Sequence, residues 1–390
     1  MEKLFGIPVD TLMLVLLVAL GIIAGVIGIL AARHPVFFRM GLRNIPRRWG
    51  RTGLIVVGLM LGTAIISAAL GTGDIMSSTI RSSVLDSLGN IDEIVSFEHG
   101  VGDDQIFVET VADIEYFDES LFHEVRNSLI GNPLVDGVAP VIIEPVAVQD
   151  VTSLQNEPRV TIFAMDPDFM GGFGQIEAMD GRAVSLASLG PGDIYLNEEA
   201  ADELNAKIGD ELRVFAAGRS VAVAVKEIVR YDGTGTEESA ILTTLAEAQG
   251  LLAQPGRIKH IIVSNTGDAT GGAKYSGEVL ATLEPVVTPL GLEVEPTKQD
   301  AMDFADEMGS GFTSIFMVLG TFSIVAGMML IFLIFVMLAA ERKTEMGIAR
   351  AVGTQRHHLI EMFLFEGAAY DLMGATVGAA LGLGVALGMV

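Results

Sequence analysis

The 390-residue chain has no cysteine, a single tryptophan and only 6% aromatic residues. Without a thiol there are no disulfides, no thiolate metal sites and no cysteine nucleophile, and the absence fits an extracytoplasmic domain. Charge is also scarce, at 19% of residues against 50% hydrophobic. The mean hydropathy of +0.51 is too high for an ordinary soluble domain. Positive charge is scarcer still: 24 Lys and Arg face 49 Asp and Glu, a net charge of -25. That balance leaves no basic face to neutralise phosphates and excludes nucleic acid as a partner. There is no Gly-x-x-x-x-Gly-Lys-Ser/Thr loop and no Gly-Lys dipeptide, so the chain lacks a nucleotide-binding motif of its own. No Gly-x-Ser-x-Gly elbow or other catalytic constellation occurs, and no cofactor is expected. His34, His99, His123, His260, His357 and His358 show no zinc-site spacing, and a helix would point the adjacent His357 and His358 to different faces. Asp103-Asp104 and Glu237-Glu238 lack the spacing of a calcium loop and read as solvated loop charge. No metal site is expected.

What the chain does contain is segregated. Residues 75–311 hold 41 acids and 13 bases, while the remainder holds 8 acids and 11 bases. An acidic polar domain therefore interrupts apolar segments with basic flanks. Thr11–Ala32 and Thr52–Gly73 are uncharged runs of 22 residues each, and Met308–Ala340 is one of 33. At about 1.5 Å per helical residue each can cross a hydrocarbon core of about 30 Å. A fourth run, Leu372–Val390, continues to the last residue. A secretory signal peptide is the alternative for the first run, but its apolar stretch is too long and its leader too acidic for one.

Arginine sets the orientation. Arg33, Arg39, Arg43, Arg47, Arg48 and Arg51 lie between the first two runs with no acid among them, and Arg342, Lys343, Arg350 and Arg356 follow the third. Both segments are expected in the cytoplasm, which places the N-terminus and the acidic insert outside. Phe37, Phe38, Leu42, Ile45 and Trp49 recur at near-helical spacing among the first arginines, the pattern of a helix lying in the membrane interface against lipid phosphates. Pro46 ends or kinks it near Ile45. In the insert, residues 90–98, 141–151 and 158–166 read as strands and 118–130 as an amphipathic helix. Residues 193–235 read as strand, helix, a turn at Ile208-Gly209-Asp210, strand and a hairpin at Gly218-Arg219. Strand 260–265, a helix over 277–283 and strand 292–296 complete it.

Three stretches resemble the FtsX-like permeases of ABC transporters with a MacB-like periplasmic core domain. They are GLRNIPRRWGRTGLIVVGLMLG at the second run, LNEEAADELNAKIGDEL in the insert, and AAERKTEMGIARAVGTQRHHLIEMFLFEGAAYDLMGATVGAALG after the third run. The resemblance spans residues 41–390. The expected fold is an α-helical membrane protein with a large extracytoplasmic α+β domain inserted between the second and third transmembrane spans. Its segments are an extra N-terminal span (1–32), a cytoplasmic amphipathic basic helix (33–51), a span (52–73), the MacB-like domain (74–307), a span (308–340), a cytoplasmic coupling loop or helix (341–358) and a span (359–390). The family pattern has a further span after Val390, so the chain reads as a fragment of a longer one.

The resemblance implies a permease in the bacterial plasma membrane that uses a separate cytoplasmic ABC-type ATPase subunit and pairs with a second permease half or a second copy. By mechanotransmission, ATP hydrolysis would move the outer domain to export or extract hydrophobic, lipidic or peptide cargo. The alternative is a membrane-anchored extracytoplasmic receptor or scaffold without an ATPase; a membrane hydrolase has no motif in its favour. Residues 341–358 are the expected docking element. Read as a helix, Glu341 and Glu345 share a face beside Arg342, while Ile348, Ala351 and Val352 form an apolar edge. Gly347 leaves room for a partner backbone, Gly353 can end the helix, and Arg350 and Arg356 extend the charged rim. Glycines recur at four in the pairs Gly21/Gly25, Gly58/Gly62 and Gly384/Gly388 and in the triplet Gly374, Gly378 and Gly382, which lets helix backbones approach in lipid. Glu361, Glu366 and Asp371 flank or enter the last run, and Glu361 reads as a hydrated interfacial carboxylate. For Glu366 two readings stand, a functional carboxylate on a proton pathway or a hydrated carboxylate at the cytoplasmic interface; it matches the family's Glu-Gly position, which implies pairing with an arginine of a neighbouring helix.

The arginine distribution generates a topology test. Cysteines introduced by Ser188→Cys and Thr344→Cys are treated with an impermeant thiol reagent on intact cells. Labelling is expected at position 188 and protection at position 344; the reverse pattern inverts the orientation.

Overall fold

The structure, a computed structural model, describes residues 3–4, 7–44, 49–97, 115–231, 233, 239–341, 347–348, 351, 353 and 355–388. Two compact units form, one from Met1–Ser78 with Ala305–Val390 and the other from Thr79–Phe304. Ile45, Pro46, Asp103, Asp104, Glu237 and Glu238 lie outside the described residues.

The first unit is helical. Helix α1 spans Val9–Arg33, α2 Pro35–Asn44 and α3 Trp49–Leu88, and the chain returns through α8 (Thr297–Glu341) and α9 (Arg356–Leu387). Helices α3 and α8 thus have residues in both units. The uncharged runs at 11–32, 52–73 and 308–340 lie within α1, α3 and α8. Large apolar side chains on these helices face outward, among them Phe322 at 75% and Phe332 at 71% exposure. Surfaces of this kind suit lipid or a partner helix rather than water. Among the described residues, the stretch long and apolar enough to cross a membrane is Ile360–Val385 in α9, 26 residues with mean hydropathy 1.3. Leu17–Arg33 and Thr52–Ala68 are shorter apolar stretches. The α9 stretch starts well before the uncharged run at Leu372 and includes Glu361, Glu366 and Asp371, of which Glu366 is buried.

Proline at the start of α2 fits the first helical turn, where the missing N–H costs nothing. This short helix packs its aromatic rings on α9. Phe37 stacks on His358 with ring centres 4.5 Å apart, and Phe38 meets Phe365 edge-on at 5.3 Å.

The second unit is α+β. Its strands are β1 (Glu93–Phe97), β2 (Val135–Asp150), β3 (Asn156–Met165), β4 (Asp193–Asn197), β5 (Glu211–Ala216), β6 (Arg219–Arg230), β7 (Ala240–Thr244), β8 (His260–Asn265) and β9 (Leu292–Glu295). Six of them close on themselves in the order β2-β3-β7-β4-β6-β5-β2, and β8, β1 and β9 extend the sheet from β2. Two short strands at Ile176–Ala178 and Ala183–Val184 complete the eleven, beyond β6. Closure leaves those six strands no open edge. Strand β2 makes this possible by pairing β3 and β8 along its length and β5 near its end.

Hydrophobic alternation explains which faces are covered. On β3, Ile162 and Ala164 join one core with Ile194, Leu196, Val214 and Val225. Phe163 and Met165, pointing the other way, join a second core with Tyr195, Leu242 and Phe173. Its continuous apolar run reflects burial on both faces. Helices α4 (Ser120–Leu129) and α7 (Ser276–Val287) seal the first core with Phe122, Val125, Val279 and Leu283. Asn197 caps α5 (Glu198–Leu204) by accepting from the Ala200 N–H at 3.0 Å, and accepts from the Ala240 N–H at 2.8 Å, tying β4 to β7.

Two elements differ from the sequence expectation. The β5–β6 hairpin turns at Ala217-Gly218, one residue earlier than expected, because Ala216 pairs with Arg219. Both turn residues have positive φ, 51° and 73°, as a two-residue hairpin requires. Residues 240–251, unassigned by periodicity, form the central strand β7 and helix α6 (Leu245–Leu251). A five-residue strand buried on both faces has no alternation to reveal it.

Candidate functional site

Of the expected docking element, Arg342, Glu345 and Arg350 lie outside the described residues, as does Val352. Glu341 closes α8 and Arg356 opens α9. Gly347, Ile348 and Ala351 are helical, Ile348 is 63% exposed and Ala351 is exposed. Gly353 has φ of +103°, a conformation suited to glycine that breaks the helical path before α9.

The clearest geometry in the helical unit is the seam between α3 and α9. A Cβ placed on Gly374 would come within 2.6 Å of the Leu59 Cβ. One on Gly378 would meet the Met60 carbonyl oxygen at 2.5 Å, and one on Gly382 the Ala64 carbonyl oxygen and Ser67 Cβ at 2.6 Å each. Backbone therefore lies on backbone at three successive turns. Gly62 is buried and Gly58 half-buried on α3. Ser67 donates from its hydroxyl to the Ala379 carbonyl at 3.3 Å across the seam. By contrast, a Cβ on Gly21, Gly25 or Gly384 would meet nothing within 4 Å. Spacing alone does not distinguish these positions, because the facing helix makes the difference.

Glu366 is 1% exposed beside this seam and accepts from the Tyr370 hydroxyl at 2.8 Å; that hydroxyl lies 3.5 Å from the Thr52 hydroxyl of α3. Glu361 is half-buried on α9 and stands 2.9 Å from His34 Nδ1, while Asp371 is exposed.

Within the α+β unit, a buried ionic cluster joins the segment after α3 to the start of α8. Lys298 Nζ lies 3.0 Å from Asp92 Oδ1, with the side chains 0% and 1% exposed. The Lys298 N–H donates to the Asp92 carbonyl at 3.2 Å, and the Asp92 N–H to the Val263 carbonyl at 2.9 Å. The other Asp92 oxygen accepts the Asn265 N–H at 2.8 Å, and the Asn265 amide donates to Glu93 at 2.7 Å. Gly272 packs directly over the Asp92 carboxylate, where a Cβ would collide. Antiparallel pairing of β1 with β9, Ile94 opposite Glu295, runs beside the cluster. Burial pushes the Glu93 carboxyl up to about 7, with the Asp92 charge adding to it, while Ser276, Asn265 and Lys298 pull the other way. Burial also raises Asp92, against the pull of Lys298 and the Asn265 amide. None of these residues has a signature in the sequence, since a lone Lys after Pro296-Thr297 reads as a solvated helix start.

A helical unit rich in outward apolar side chains, carrying an α+β domain between α3 and α8, is the layout of a membrane component with an extracytoplasmic domain. Residues 52–274 match the MacB-like periplasmic core domain, and residues 317–389 the FtsX-like permease C-terminal domain. The chain belongs to the FtsX-like permease family with a MacB-like periplasmic core domain, membrane components of ABC transporters. Among solved structures it is similar to the extracellular domain of the noncanonic ABC-type transporter YknZ from Gram-positive bacteria, at 12% identity and TM-score 0.35, covering 53% of this chain and 100% of that one. It is also similar to the periplasmic region of MacB from Actinobacillus actinomycetemcomitans, at 13% identity and TM-score 0.38, covering 56% and 94%. None of the curated proteins compared with it matches.

Two outcomes follow from this geometry. Gly382→Ala forces α3 and α9 apart and is expected to destabilise the purified chain by about 1–3 kcal/mol, whereas Gly384→Ala is neutral or slightly stabilising. Thermal unfolding in detergent compares the two. For Glu93, the raised folded value means that its stabilising contribution is complete below about 4.5 and is lost as pH rises through about 7. A shift of that size corresponds to on the order of 3 kcal/mol. Glu93→Gln should therefore gain stability relative to the parent across that window, and a pH-independent difference between the two melts would contradict it.

Proposed function

We propose that the chain couples ATP hydrolysis on a separate cytoplasmic ABC-type ATPase to movement of its MacB-like domain, exporting or extracting hydrophobic, lipidic or peptide cargo. The observation that carries this reading is the presence, in one chain without a phosphate loop, of an FtsX-like permease segment at 317–389 and a MacB-like core domain at 52–274. Energy must then arrive from another subunit through a cytoplasmic segment, and residues 341–358 are the element with both a charged rim and an apolar edge. The exposure of Ile348 and Ala351 supports a surface open to a partner.

In this reading the runs in α1, α3, α8 and α9 span the bacterial cytoplasmic membrane, with residues 74–307 outside. Force applied at 341–358 tilts α8 and α9, and the glycine seam carries the tilt to α3. Both α3 and α8 continue into the outer domain, where Lys298 and Asp92 hold their ends together, so the domain moves as one piece. The exposed aromatic face of α8 supports lipid contact or pairing with a second permease half or a second copy.

Ala351→Asp would place a charge in the docking groove, at several kcal/mol if unpaired there, yet within about ±0.5 kcal/mol in the free, exposed segment. The variant is expected to express, insert and melt like the parent while losing stimulation of ATP hydrolysis in the reconstituted complex. Arg350→Glu should weaken stimulation more mildly and in a salt-sensitive way. Full stimulation in both variants would remove 341–358 as the docking element and favour an ATPase-independent receptor.

A further inference from the structure

The helix break between α1 and α2 brings one histidine to the start of α9, where two further metal-ligating groups wait. His34 is the non-helical residue between Arg33 and Pro35. His358 and Glu361 are three apart on α9, hence on one face of the helix. One ligand atom from each of His34, His358 and Glu361 lies within 4.8 Å of the others. All three side chains are half-buried, Glu361 at 14% exposure. His34 Nδ1 stands 2.9 Å from Glu361 Oε2, yet that buried oxygen has no hydrogen-bond partner among the described residues. A buried carboxylate oxygen in this state is costly unless something else satisfies it.

We infer that His34, His358 and Glu361 form a binding site for a divalent transition-metal ion of the Zn²⁺ class. Two imidazoles and a carboxylate favour Zn²⁺, Co²⁺ or Ni²⁺ over Mg²⁺ and Ca²⁺, which prefer all-oxygen shells. Bonds of about 2.0–2.2 Å in a tetrahedral shell put ligand atoms about 3.4 Å apart. No pair therefore has to close by more than about 1.4 Å, within reach of an imidazole rotation. Phe37 stacks on the His358 ring with an interplanar angle of 14° and steadies it, and the His34 ring centre lies 5.2 Å from that of His358. Three protein ligands leave the fourth position to water. An ion bound here would pin the α1–α2 elbow to the first turn of α9, the helix that follows residues 341–356. Occupancy would thereby set how freely that turn moves.

The histidines are far apart in sequence, which is why spacing does not reveal the site. His357, although adjacent, is exposed and outside the set. That makes it the internal control.

The test uses the full chain, purified in detergent without a polyhistidine tag, stripped with chelator and titrated with Co²⁺ and then Zn²⁺. The expected result is one equivalent of Co²⁺ at micromolar concentration, with the visible absorption of a four-coordinate ion, displaced by Zn²⁺, and a higher melting temperature when loaded. Glu361→Gln and His358→Ala should each weaken binding by about 100-fold or more, a first-shell loss at least as large as that of outer-shell partners. His357→Ala should bind like the parent. Absence of stoichiometric binding by the parent overturns the inference without recourse to any variant. So does parent-like binding by both Glu361→Gln and His358→Ala, which would assign the metal to other groups.

Discussion

The α+β domain depends on one buried ion pair. Lys298 and Asp92 sit at essentially zero exposure, 3.0 Å apart. Neither charge is tolerable there without the other, because an unpaired buried charge costs about 3–5 kcal/mol when its partner is removed. The pair forms only when the residues after α3 and the first residues of α8 come together, so it specifies that meeting as well as stabilising it. Around it the polar groups of Asn265 and the close approach of Gly272 leave space for this arrangement and little else. The β1–β9 pairing then inherits a fixed register from the same junction. For a protein whose outer domain is read as a moving part, a rigid base matters more than raw stability.

The helical unit solves a different problem. Helices in lipid gain little from burying apolar side chains against one another, so close packing must supply the attraction. At Gly374, Gly378 and Gly382 the backbones of α9 and α3 approach so closely that even a methyl group is excluded. The hydroxyl of Ser67 adds a hydrogen bond across that contact, and the Glu366–Tyr370 pair buries a carboxylate beside it with a satisfied oxygen. The α1–α2 elbow completes the unit by laying Phe37 and Phe38 on α9.

Much of the architecture was legible in the sequence, for reasons that are local or additive. Uncharged runs longer than a bilayer is thick, the partition of acids into 75–311 and the arginines between runs need no knowledge of contacts. The apolar run of β3 likewise belongs to a short segment. Strand β7 and helix α6 escaped because five and seven residues are too few to show a period, the strand being buried on both faces as well. The hairpin register slipped by one residue because turn type depends on which residues pair, and Ala217 at positive φ is an uncommon choice for that position.

By itself, the sequence determined that the chain has apolar helices, an acidic insert, no phosphate loop and glycines at helical intervals. Tertiary structure decided which of those intervals face another backbone: 374, 378 and 382 do, whereas 21, 25 and 384 do not. It also decided that Lys298, an unremarked cation after a proline, would be fully buried against Asp92, and that His34 would meet His358 and Glu361. The physical reason is common to all three. Propensity, charge balance and periodicity sum over neighbours in the chain, but a seam, an ion pair or a ligand set requires residues from distant segments to occupy one small volume. Only the packing of whole elements fixes that coincidence.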